Sequence, residues 1–160
     1  MFFKSGVYQL DIDIDRTRHF YENDDYEFCT CAGCRNFSKA YRLLPEAVQQ
    51  FFRQFGADIG KPAEITAYDS SDGNLTYYDG FYHICGTILA GKDPYLQVGE
   101  RAFQLDERYV LKLTDDFSVF FTEKCALVDH DFPSPVIQME IQGNIPWMLE
   151  EPNPYHHSRP

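Results

Sequence analysis

The chain has 160 residues, 44% of them hydrophobic and 16% aromatic, and a net charge of −11 at pH 7. This length fits one domain that buries a real core without staples, and the apolar content excludes intrinsic disorder. No apolar run is long enough to span a bilayer, and so acidic a chain repels phosphate backbones, so neither a membrane nor direct nucleic-acid binding is expected.

Residues 7–15, VYQLDIDID, alternate from Leu10 onward. Leu10, Ile12 and Ile14 fall on one face, with Asp11, Asp13 and Asp15 on the other, which reads as a half-buried strand with an acidic outer face. RTRHFYE suits a helical turn, and Asn23-Asp24-Asp25 a loop. In CRNFSKAYRLL, Cys34, Phe37, Tyr41 and Leu44 make the apolar stripe of an amphipathic helix. Pro45 ends that helix and suits the first turn of the next, PEAVQQFFRQF, which Gly56 stops. These two helices form a corner inserted after the first strand.

Beyond Pro62 the period changes to two. EITAYD (64–69) is a strand, SSDGN a hairpin turn, and LTYYDGFYHICGTIL (75–89) one bent strand or two short ones with Asp79-Gly80 as a bulge or turn. Residues 91–99 read as loop. AFQLDERYVLKL (102–113) and FSVFFTE (117–123) read as a hairpin, and VIQMEIQ (136–142) as a strand broken by Gly143-Asn144. Strand runs without βαβ alternation predict an α+β fold. The expected domain is a single mainly antiparallel unit over 1–150, followed by a flexible proline-rich tail over 151–160 that carries His156-His157.

Five cysteines are present, and Cys29, Cys31 and Cys34 crowd into six residues. Cys31-x-x-Cys34 has a zinc-ligand spacing, and Cys29 adds a third thiolate. A fourth ligand would come from afar, with His83 and Cys85 the favoured pair because residues two apart in a strand share a face. Zinc is therefore the one cofactor the sequence suggests. Two other readings stay open: a thiol redox pair activated at a helix start, and a core corner where sulfur serves as a small apolar atom.

Asp13-Ile-Asp15-Arg-Thr17 matches a D-x-D-x-T string of phosphatases, but no buried parallel strand or doubly wound pattern accompanies it. No glycine-rich phosphate loop and no nucleophile elbow occurs, which leaves a non-catalytic protein as the leading expectation. An acidic cytosolic binder of a basic protein partner fits best, of the immunity, antitoxin or phage anti-defence type. Asp11, Asp13 and Asp15, with Tyr77, Tyr78 and Tyr82 as exposed aromatic anchors, are its expected contact residues. Alternation of charge and apolar residues near the N-terminus, in place of an apolar leader, points to the cytoplasm. A homodimer stays open.

Two segments carry a resemblance. CTCAGCRNF (29–37) is similar to a C-x-C-x-x-C-R-N-[FY] string, and IPWMLEEP (145–152) to an [IL]-P-W-x-L-[DE]-E-P string. Both occur, in this order and spacing, in small uncharacterised bacterial proteins of similar length. The resemblance implies a bacterial or phage source and one structural unit that joins the cysteine string to the Trp147 segment. It implies no activity.

Overall fold

The computed structural model describes residues 1–156. β1 (Phe2–Ser5) and β2 (Tyr8–Ile12) form a hairpin. Next come α1 (Ile14–Asn23), α2 (Ala32–Ala40), a 3-10 turn at Tyr41–Leu43 and α3 (Glu46–Phe55). The strands β3 (Glu64–Tyr68), β4 (Leu75–Ala90), β5 (Tyr95–Gln97), β6 (Phe103–Leu105), β7 (Leu111–Thr114), β8 (Phe117–Thr122) and β9 (Val136–Pro146) follow. The fold is α+β with antiparallel pairing throughout.

β4 organises the main sheet, whose order is β1-β2-β4-β9-β8-β7. Along one edge its first half pairs with β3 and its second half with β2, while β9 runs beside it from Leu75 to Cys85. The period of two then assigns the faces. Tyr78, Tyr82 and Ile84 of β4 point the same way as Ile137, Met139, Ile141 and Ile145 of β9 and Phe117, Val119 and Phe121 of β8. All ten are buried. The helices close this face: Phe52 of α3 meets Tyr82 edge-on at 4.7 Å, and Phe37 of α2 lies 5.6 Å from Tyr78. The opposite face is partly covered by the small β5–β6 ribbon, where the Tyr95 ring lies 5.5 Å from Phe120.

Several elements differ from the sequence expectation. The first predicted strand stops at Ile12, because Asp13 caps α1 by accepting the Arg16 N–H at 3.0 Å. Asp11, Asp13 and Asp15 therefore share no strand face. Asp11 stays on β2 beside the N-terminal ammonium, 3.3 Å away, and Asp15 lies in the first turn of α1, paired with Arg18 at 3.2 Å. β1 is an additional strand, and β5 lies inside the expected 91–99 loop. The strand expected over 102–113 is interrupted at Asp106, whose carboxylate accepts the Arg108 N–H and pairs with its guanidinium. β9 continues through Gly143-Asn144 instead of breaking. Gly143 lies opposite both Tyr78 and Phe117, and a Cβ there would stand 2.6 Å from the Phe117 ring and 2.7 Å from the Asp116 carbonyl. Glycine at this point permits close strand approach.

The C-terminal segment is tied down as far as His156. Asn153 Nδ2 donates to the Leu75 carbonyl at 3.2 Å and to Thr76 Oγ1 at 2.7 Å, and His156 Nδ1 lies 3.2 Å from the Ser70 carbonyl. The expected loose tail thus does not describe residues 151–156, and His157 and the rest of that expectation lie outside the described residues. Among the described residues no helix is long and apolar enough to cross a membrane.

Candidate metal centre

Phe28 seats the loop before α2 by packing against Tyr26 at 5.0 Å and Phe37 at 6.2 Å. The chain then turns into α2 at Cys31, which is extended and takes the N-cap position. Cysteine is an unusual cap, and here its Sγ accepts the Cys34 N–H at 3.4 Å. Cys34 lies one turn into the helix on its apolar stripe, which brings its thiol back toward the cap. The Cys29 and Cys31 sulfurs are 3.1 Å apart, and all three sulfurs lie within 4.8 Å of one another.

The three thiols differ in environment. Cys29 and Cys31 are exposed, whereas Cys34 is 8% exposed. Hydrogen bonds from Cys34 and then Cys31 hold the Cys29 thiol below its ordinary value. Burial pushes the Cys34 thiol well above its own, and its hydrogen bonds to Cys29 and Cys31 act the same way. Burial thus sets Cys34 apart from the two exposed thiols. The N-terminus of α2 adds the positive end of the helix dipole. Arg35 closes the rim, donating from Nε to the Thr30 carbonyl at 3.2 Å and pairing with Glu151.

This donor set fits a soft cation. Zinc–sulfur bonds of about 2.3 Å in a tetrahedron place ligand sulfurs about 3.8 Å apart, between the 3.1 Å of the Cys29–Cys31 pair and the 4.8 Å within which all three lie.

The C-terminal segment walls the site. Asn36 Nδ2 donates to the Pro146 carbonyl at 3.0 Å and to Tyr78 Oη at 3.1 Å, and Asn36 Oδ1 accepts the Met148 N–H at 2.6 Å. Tyr155 Oη accepts the Gly33 N–H at 3.2 Å. The Tyr155 ring lies 6.3 Å from Trp147, whose Nε1 donates to the Glu151 carbonyl at 2.8 Å. The two motif strings thus meet in space.

The other expected ligands lie elsewhere. Tyr78 Oη donates to the Gly33 carbonyl, so the Tyr78 end of β4 is the end beside the cluster. His83 is five residues further on, about 17 Å of strand, and Cys85 further still. His83 is buried between Phe81 and Phe132, with Nε2 2.9 Å from the Ala126 carbonyl. Cys85 is buried beside α1, its N–H donating to Thr17 Oγ1 at 3.0 Å. Neither belongs to a group able to share one ion with the three cysteines.

The expected aromatic anchors also need correction. Tyr78 and Tyr82 are both 0% exposed, with the Tyr82 hydroxyl donating to the Ile59 carbonyl at 2.8 Å. Only Tyr77, on the opposite face beside Tyr68, reaches solvent in part.

The described residues contain a second ligand-capable group, Asp129-His130-Asp131, exposed on a loop. The D-H-D string is legible in the sequence, but its imidazole is occupied by its own neighbours, 3.4 Å from Asp129 and 3.2 Å from Asp131.

His83 carries a pH prediction. Desolvation outweighs its bonds to Ala126 and Gln138 and holds the imidazole below its ordinary value. The folded state thus resists protonation, so this stabilisation is complete above the unfolded value of about 6.5 and is lost as pH falls through it. The urea midpoint should drop between pH 7.5 and 5.5, and drop less in His83→Gln. Equal drops in both proteins would refute the assignment.

Compared with family models, curated proteins and solved structures, the chain finds no match.

Proposed function

We propose that the protein binds one zinc ion at the N-terminus of α2 through Cys29, Cys31 and Cys34, with the fourth position turned to solvent. The observation that carries this reading is the convergence of three thiol sulfurs within 4.8 Å at a helix cap. Thiolates select zinc over the hard cations magnesium and calcium. When bound, the ion supplies a positive charge that two exposed sulfurs and one buried sulfur share.

The site is regulatory in character. The hydrophobic core closes around Phe52, Phe55, Tyr82 and Phe121 without help from the cluster, which contributes a single buried sulfur at its rim. Zinc there stiffens a corner and does not nucleate the fold. The partner-binding expectation rests mainly on the charge of −11 once Tyr78 and Tyr82 are internal, and it lacks a comparably built site.

Metal analysis of the purified chain tests the proposal. One equivalent of zinc should be bound, lost in Cys31→Ser and Cys34→Ser, and retained in His83→Ala and Cys85→Ser. A chain that takes up no zinc, or one whose zinc survives Cys31→Ser, would overturn the reading.

A further inference from the structure

The same corner holds the ingredients of a second chemistry. Cys29 and Cys31 are both exposed and stand 3.1 Å apart, against the roughly 2.05 Å of a disulfide bond. Both residues lie outside α2, in the loop that precedes it, with only Thr30 between them. The other thiols are less accessible: Cys34 and Cys85 are buried, and Cys125 is half-buried with its sulfur 3.6 Å from the Val136 carbonyl.

We propose that Cys29 and Cys31 form a hydroperoxide-oxidised dithiol pair, so that a Cys29–Cys31 disulfide and a bound metal are alternative states of one site. The second half of this proposal rests on the zinc reading, whereas the first stands on the thiol geometry.

The steps balance with a hydroperoxide as oxidant. The Cys29 thiolate attacks one peroxide oxygen, the O–O bond breaks, and the leaving alkoxide or hydroxide takes up a proton. Cys29 is then a sulfenic acid. The Cys31 thiolate attacks its sulfur, the S–O bond breaks, and hydroxide leaves as water after protonation. Two thiols are oxidised by two electrons and one peroxide is reduced. The roles follow from position. Cys31 is held at the helix cap, where its sulfur accepts the Cys34 N–H, so it serves as the resolving partner of the exposed Cys29 beside it. Cys34, buried on the helix, stays outside the bridge. Once bridged, Cys29 and Cys31 lose their charge, and Cys34 alone does not hold zinc.

Hydrogen peroxide is the probe, applied to the full chain in metal-free reduced form and in zinc-loaded form. In the metal-free arm two of the five thiols should be lost, with a mass change of about −2 Da and a Cys29–Cys31 bridge in the peptide map. In the zinc arm one ion should be released per bridge, read with a chromogenic chelator, and rebound after treatment with a dithiol reductant. Cys29→Ser should abolish the bridge in the metal-free arm, and Cys125→Ser should leave both signals intact. Thiol loss spread over Cys85 and Cys125, or a map without the Cys29–Cys31 bridge, would overturn the pair. Zinc that stays bound under peroxide refutes the alternative-state claim and leaves the zinc site standing. A bridge in a chain that takes up no zinc refutes the metal reading and leaves the dithiol standing.

Discussion

Phe55→Ala should cost about 3–5 kcal/mol of unfolding free energy, the range for deleting a buried aromatic ring. Phe55 is fully buried at the end of α3, and three rings converge on it. Phe3 of β1 meets it at 4.7 Å, Phe51 at 5.0 Å and Phe121 of β8 at 5.4 Å. One side chain therefore joins the helical layer to both the added N-terminal strand and the far side of the sheet. Neighbours from three elements cannot all collapse into the space, so the transfer loss and the cavity loss add. For a chain of this size each kcal/mol is worth about 2–4 °C, so the melting temperature should fall by about 6–20 °C. Urea unfolding of the two proteins checks it, and a change below about 1 kcal/mol would mean that α3 does not pack as described.

Asn36→Ala should cost about 2–4 kcal/mol, more than its size suggests. Among the described residues no buried side-chain nitrogen or oxygen lacks a partner, and Asn36 keeps three groups satisfied at once. Truncation leaves the Pro146 carbonyl and the Met148 N–H without their partner, whereas the Tyr78 hydroxyl still donates to Gly33. The cost is thus the desolvation of orphaned backbone groups. Asn36→Asp should be at least as damaging at neutral pH, because it removes both donors and buries a charge. The zinc reading adds a second measurement: loosening the start of α2 should weaken zinc in a chelator competition, even though Asn36 is not a ligand. An Asn36→Ala protein with unchanged stability would show that the wall around the cysteines carries no load.

Local periodicity made much of this legible. The stripe from Cys34 through Phe37 to Leu44 and the broad face of PEAVQQFFRQF specify their helices, because a 3.6-residue repeat has no other use. The strands of the second half follow from period two, and the cysteine spacing marked the cluster of three sulfurs directly. What escaped depends on tertiary partners. Asp13 continues a strand pattern and is equally a good helix cap. The tie is broken by Thr17, whose hydroxyl donates to the Asp13 carbonyl and accepts the Cys85 N–H from the neighbouring strand. Tyr77 and Tyr78 cannot both face solvent, since neighbours in a strand point to opposite faces. Which of the two turns inward is decided by the helices, which lie far from them in sequence. His83 and Cys85 looked like ligands because they share a face, but distance along one long strand separates them from the cluster.

The seating of the C-terminal segment against α2 has an optical consequence. The chain contains one tryptophan, and Trp147 stacks edge-on with the tyrosine whose hydroxyl is bonded to the residue just before Cys34. A single indole thus stands two contacts from the thiols, on a segment that shares Arg35 and Asn36 with them. Tryptophan emission, free of any competing indole, should therefore shift when the start of α2 moves, which makes Trp147 a built-in label for a cluster to which it contributes no atom.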